Sequence, residues 1–181
     1  MQGNEIYNFI KDIFPITRSI TGDGNRETLA KIKSMLPGLK TYEVPTGAEA
    51  FDWVVPKEWN IKDAYVADEN GKKIIDFKEN NLHVLNYSKP VDEMVTLEEL
   101  NDHLYSIPDL PKAIPYITSY YNERWGFCMR HEDRENLKDC KYHVYVDSEL
   151  KDGSLSYGEL ILPGKSEKEV LLSTYICHPS M

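Results

Sequence analysis

The sequence predicts an α/β fold interrupted by a small β-rich insert, and three features of it carry that reading. Residues 1–37 show helical periodicity and stop at Pro37-Gly38. The middle is crowded with proline, glycine and tryptophan around short alternating segments. The last third holds strand-type runs in a row. The domain reading that follows is a core built from both ends, 1–44 and 131–181, with an inserted β-rich module over 45–130.

Each element has its own signal. Ile6, Phe9, Ile10 and Ile13 recur at the spacing of one helix face, and Pro15 ends that helix. A second helix is predicted over 26–36, with Leu29, Ile32 and Leu36 inward, and a short strand over 40–44. In the insert, strands are predicted over 64–67 and 73–77, with Asn70-Gly71 between them as a hairpin turn. A third segment, 82–85, is expected to pair beside them. Thr96 and Glu99 have capping-box spacing and start a helix that runs to Ile107. A short helix follows over 132–137, then strands over 142–147 and 153–162. A final apolar strand, 169–176, leads into Cys177-His178-Pro179.

Composition narrows the function. A net charge of −9 and a pI near 5.1, with no basic cluster, exclude nucleic acid and anionic membrane as expected partners. Three cysteines without a CxxC pair suit a reduced, cytoplasmic protein. No leader-type segment or membrane-length apolar run stands in the sequence.

Few residues carry chemistry. His178 follows the final predicted strand, the place where open α/β sheets bind ligands. It reads either as a structural imidazole or as a ligand, and one imidazole does not make a zinc site. His83, His103, His131 and His143 show neither HExxH nor His-x-His spacing. The loop Arg18-Ser19-Ile20-Thr21-Gly22-Asp23-Gly24 before a helix looks like an anion cradle but lacks the Walker lysine, and reads better as a capping loop. Trp53, Trp59 and Trp125, with Tyr120-Tyr121 nearby in sequence, form either the core of the insert or the wall of a glycan or peptide pocket.

Longer segments carry a resemblance. Phe14-Pro15-Ile16-Thr17-Arg18-Ser19-Ile20-Thr21-Gly22, Phe51-Asp52-Trp53-Val54-Val55-Pro56-Lys57-Glu58-Trp59-Asn60-Ile61, Tyr120-Tyr121 with Arg124-Trp125-Gly126-Phe127-Cys128, and Ser173-Thr174-Tyr175-Ile176-Cys177-His178-Pro179-Ser180 resemble a bacterial aminopeptidase-like family. That family is related to zinc-dependent exopeptidases and sometimes sits with polysaccharide-biosynthesis genes. The resemblance implies a phosphorylase/hydrolase-like core, zinc as cofactor, and His178 as the first metal ligand. It places the remaining ligands and the catalytic base beyond Met181, so no catalytic residue is expected within these 181 positions. Ser180 departs from the His-x-Asp pattern of zinc exopeptidases, whose aspartate orients the ligand.

The function expected is therefore the N-terminal part of a zinc-dependent aminopeptidase-like hydrolase, inactive as this chain and acting on a peptide or small-molecule substrate. The alternative is a non-catalytic glycan- or peptide-binding module linked to polysaccharide biosynthesis, using Trp53, Trp59 and Trp125. Homo-oligomerisation is left open.

Overall fold

The computed structural model describes residues 3–178. Along the chain run α1 (Gly3–Ile13), α2 (Asp23–Met35), β1 (Lys40–Pro45), β2 (Glu49–Ala50) and β3 (Trp53–Val54). Next come β4 (Glu58–Asp68), β5 (Lys73–Asp76), β6 (Val91–Val95), α3 (Leu97–Asp102) and β7 (Leu104–Tyr105). The chain closes with β8 (Phe127–Cys128), α4 (His131–Arg134), β9 (Tyr142–Lys151) and β10 (Ser154–Glu159). It is a mixed α/β protein with small sheets. It divides into two compact units, one from residues up to Glu58 and from Lys151 onward, the other Trp59–Leu150.

In the first unit, β1 and β10 form an antiparallel pair from Lys40↔Glu159 to Pro45↔Ser154, and the Tyr42 and Tyr157 rings stack across it at 5.1 Å. Gly158 lies against the buried side chains of Leu29 and Leu39, which seats α2 beside β10. The loop before α2 is a hydrogen-bonded plug. Ser19 Oγ donates to the Thr21 carbonyl at 2.7 Å, and Asn25 Nδ2 donates to the Ser19 carbonyl at 2.5 Å. Gly22 turns the chain at φ 102°, and any Cβ on Gly24 would overlap the Thr17 carbonyl. Ser19 and Asn25 thereby bond the loop to itself.

In the second unit, four strands lie in the order β5-β4-β9-β6. β9 alternates strictly, with Tyr142, Val144 and Val146 inward. Those residues join Ala64, Val66, Ile75, Leu100 and Phe127 in one core. The hairpin β4–β5 is closed by Asp68, whose carboxylate accepts from the Asn70 and Lys72 amides at 2.9 and 3.0 Å. Thr96 and Glu99 form the full capping box of α3.

Several expectations differ from the structure. The units divide at 58/59 and 150/151 rather than at 44/45 and 130/131, because β9 is a central strand of the second unit's sheet. The 82–85 segment is a 3-10 turn, Asn81–His83, with one bridge from Val84 to Phe127. α3 stops at Asp102, where Leu104–Tyr105 turns into a parallel pair with Phe127–Cys128. Residues 169–176 form no strand: a strand needs a partner for its N–H and C=O groups, and no described residue pairs with them. Val170, Leu171 and Leu172 stand exposed there, as do Ile6, Tyr7 and Ile10 on α1.

The first unit is tied by a buried carboxylate. Glu58 takes Arg26 Nη2 at 2.5 Å, Arg26 Nη1 at 3.0 Å and the Ser154 amide at 3.1 Å. Glu58→Gln retains the shape but leaves Arg26 facing an amide. We expect a loss of roughly 1.5–3 kcal/mol, the usual worth of a hydrogen bond to a charged group, read from urea unfolding.

Candidate functional site

The buried guanidinium of Arg18 sets the surroundings of Cys177 and His178. It donates to the Ile13 carbonyl at the end of α1 and, at 3.3 Å, to the His178 carbonyl. A loop 160 residues earlier thus holds the backbone of the Cys177-His178 turn. Burial and the adjacent Arg18 charge both lower the pKa of His178, favouring neutral imidazole. Burial raises the Cys177 thiol, and Arg18 opposes that in part. A thiol held protonated and a neutral imidazole describe a potential ligand and a packed cysteine, not a Cys–His nucleophile pair.

Among the described residues, no group of three or more His, Cys, Asp or Glu side chains could hold a metal ion. One imidazole does not fit zinc, which takes three or four protein ligands. Ser180, the departure from the exopeptidase pattern, lies outside the described residues.

The tryptophans have separate placements. Trp59 is 3% exposed, donates from its indole nitrogen to the Ser88 carbonyl at 2.9 Å, and stacks on Tyr87 at 5.8 Å. Trp125 is 7% exposed and stacks on His103 at 3.7 Å. Both are buried in the second unit. Trp53 is half-buried in the first unit.

The remaining histidines are also accounted for. His83 Nδ1 meets the Cys128 carbonyl at 2.7 Å, and His143 Nε2 meets Asp92 at 2.7 Å. His131 Nδ1 meets Ser106 Oγ at 2.9 Å, with Glu135 at 3.6 Å from Nε2. That row reverses the serine-hydrolase order, in which the carboxylate faces Nδ1, and its glutamate is solvated. It is a surface polar row.

One feature has no sequence signal. Phe51, Tyr87, Tyr120 and Tyr121 all have positive φ, between 50° and 70°. Such a conformation costs a non-glycine residue about 1–3 kcal/mol. Tyr87 is buried between Trp59 and the edge of the Tyr121 ring, 5.1 Å away. Tyr120 is 73% exposed and Tyr121 40%. Their loop is held by the Ser119 amide on the Asn86 carbonyl at 3.0 Å and by Arg124 Nη2 on the Thr118 carbonyl at 3.0 Å.

A model for a domain of unknown function, DUF2172, matches residues 58–149, just over half of the chain and nearly the bounds of the second unit. The chain belongs to the DUF2172 family. It is 55% identical over 179 residues to a candidate polysaccharide biosynthesis protein with an aminopeptidase-like domain from Clostridium acetobutylicum, covering 99% of this chain and 41% of that protein. The crystal structure of a candidate peptidase from Clostridium acetobutylicum matches with a TM-score of 0.94 at 55% identity, over 99% of this chain and 42% of that one. The chain thus spans about two-fifths of the length of these relatives.

The His178 environment has a pH consequence. With its pKa below 6.5 when folded, the unfolded chain binds the proton first as pH falls. The contribution of His178 to stability is present above 6.5 and is lost as pH drops through its folded pKa. An NMR titration should give the His178 ring a midpoint below 6.5, and His178→Gln should show a smaller drop in unfolding midpoint between neutral and mildly acidic pH.

Proposed function

We propose that this chain is the N-terminal portion of a zinc-dependent aminopeptidase-like hydrolase with a phosphorylase/hydrolase-like core, and that His178 contributes one ligand to a metal centre completed by later parts of the polypeptide. The observation that carries this reading is the 55% identity, over nearly the whole chain, to a protein whose name includes an aminopeptidase-like domain. The chain spans 41% of that protein, so an incomplete ligand set is consistent with the reading. The neutral-leaning imidazole on a turn fixed by Arg18 supports His178 as a donor, because a ligand must be deprotonated. Exposed apolar side chains on α1 and at Val170, Leu171 and Leu172 support a core that continues elsewhere. No chemical step through a metal follows from these residues. No helix among the described residues is long and apolar enough to cross a membrane, and Cys128, Cys140 and Cys177 are free; the setting we propose is cytoplasmic.

A second reading is that the Trp59–Leu150 unit is a non-catalytic glycan-binding module. It is supported by the polysaccharide biosynthesis in the relative's name and by the exposed tyrosines of the second unit. The two readings are compatible, one concerning the core and the other the insert.

The 181-residue chain supplied with zinc should release no product from aminoacyl-p-nitroanilides above background, and His178→Ala should leave its zinc affinity unchanged. Metal-dependent turnover by this chain would overturn the incomplete-centre reading. In the complete polypeptide, His178→Ala should lower bound zinc measured by mass spectrometry; unchanged stoichiometry would remove His178 as a ligand.

A further inference from the structure

We infer that the first unit, and not the second, is the docking surface for the part of a longer polypeptide that the relatives carry outside the matched region. Its contact side chains are Ile6 and Ile10 of α1, Tyr42 and Tyr157 of the β1–β10 ribbon, and the run at 170–172. This rests on the reading of the chain as one portion of a longer protein and says where the rest of that protein sits. It does not depend on a metal.

Apolar side chains are divided unequally between two units of nearly equal length. Among the described residues, nineteen of the twenty-two buried hydrophobic side chains belong to Trp59–Leu150, and Leu29, Leu39 and Val55 alone belong to the first unit. Exposure runs the other way. Among the described residues, sixteen of the twenty exposed large hydrophobic side chains belong to the first unit. Scattered surface leucines are ordinary, whereas an apolar set concentrated on one unit marks a surface made to be covered.

Three elements carry that surface. α1 has no buried residue, although Ile6 and Ile10 lie one turn apart on one face of the helix. Its C-terminal end is held by polar contacts, Asp12 with Lys31 of α2 at 2.8 Å and the Ile13 carbonyl with Arg18. The apolar face is therefore left for another partner. In the β1–β10 ribbon, Gly158 faces Leu29 of α2, so the neighbouring Tyr157 and its pair Tyr42 turn to the opposite side, where both are exposed. A two-stranded ribbon is marginal in water until its faces are packed. Val170, Leu171 and Leu172 are between 87% and 91% exposed, in a strand-type run that pairs with no described residue.

The occupant follows from length and from placement. The relatives match 99% of this chain but 41% and 42% of their own lengths, so about three-fifths of each lies outside the match. The fold of the solved relative is kept at a TM-score of 0.94, and the open surface belongs to that shared fold. Within the first unit, α1 lies beside α2 on one side of the ribbon, and Tyr42 and Tyr157 face the other side. A second copy meeting one of these patches would leave the other in water, whereas a long further stretch of polypeptide covers both.

Hydrogen exchange of the complete polypeptide and of the 181-residue chain tests the inference. Amides of α1 and of residues 170–172 should exchange about ten-fold or more slowly in the complete polypeptide, with those of Val144 and Val146 little changed. Ile10→Glu and Leu171→Glu should leave the melting temperature of the 181-residue chain unchanged, because both positions face water there, and should lower that of the complete polypeptide. Met94→Glu, at an exposed position of the second unit, should leave both unchanged. Equal exchange in the two forms would overturn the inference, as would equal effects of Ile10→Glu and Leu171→Glu in both. A dimer of the complete polypeptide in sedimentation that Ile10→Glu abolishes would also overturn it, since a second copy would then be the occupant. Unchanged zinc content in His178→Ala would remove the metal reading without altering these exchange rates, so the two fail separately.

Discussion

The first unit depends on the burial of one carboxylate, Glu58. Removing a carboxylate from water costs several kcal/mol unless donors replace the water. Here Arg26 supplies two and the Ser154 amide a third, drawn from α2 and β10. The demand extends to the turn before β10. A side chain on Gly153 would overlap the Glu58 carboxylate, so that position must be glycine. Gly153 and Thr46 then exchange hydrogen bonds, the Thr46 amide to the Gly153 carbonyl at 2.9 Å and the Gly153 amide to Thr46 Oγ1 at 3.0 Å. One charged group thereby fixes the register in which β1 meets β10, starting at Pro45↔Ser154.

What the sequence revealed and concealed follows from the range of each interaction. The Thr96–Glu99 capping box and the Asn70-Gly71 hairpin are decided within a few residues, and both stand as read. β6 was invisible because only Val91 and Val95 turn inward, leaving Asp92, Glu93 and Met94 exposed between them. Its strand character comes from the ladder with β9, some fifty residues away. The two compact units divide at 58/59 and 150/151 for a related reason. Composition changes at Pro45, but membership of a sheet is decided by which strand takes the hydrogen bonds, and β9 lies between β4 and β6. The run at 169–176 shows the converse: strong strand propensity does not make a strand where nothing pairs.

The candidate site divides along the same line. His178 was legible as a residue after an apolar run, whereas Arg18 read only as part of a polar loop. Their hydrogen bond spans 160 positions and has no local signature. Tryptophans are equally at home in a core and in a pocket wall, and composition does not choose between them. In the structure Trp59 meets the Ser88 carbonyl and the Tyr87 ring, and Trp125 stacks on His103.

Backbone angles are the part no sequence pattern supplies, and here magnitudes separate residues that look alike. Burying an aromatic side chain of 150–250 Å² contributes roughly 4–6 kcal/mol at about 25 cal/mol per Å². At Tyr87, 2% exposed, that gain exceeds a strain of about 1–3 kcal/mol, so the left-handed backbone is the smaller cost of filling the core. Tyr121 is an intermediate case, with part of its ring against Tyr87 and part in water. Tyr120 retains most of its exposure, and the burial gain falls to about 1–1.5 kcal/mol, no larger than the strain. The same φ region is therefore unequally supported within one unit: packing outweighs it at Tyr87, whereas at Tyr120 burial does no more than match it.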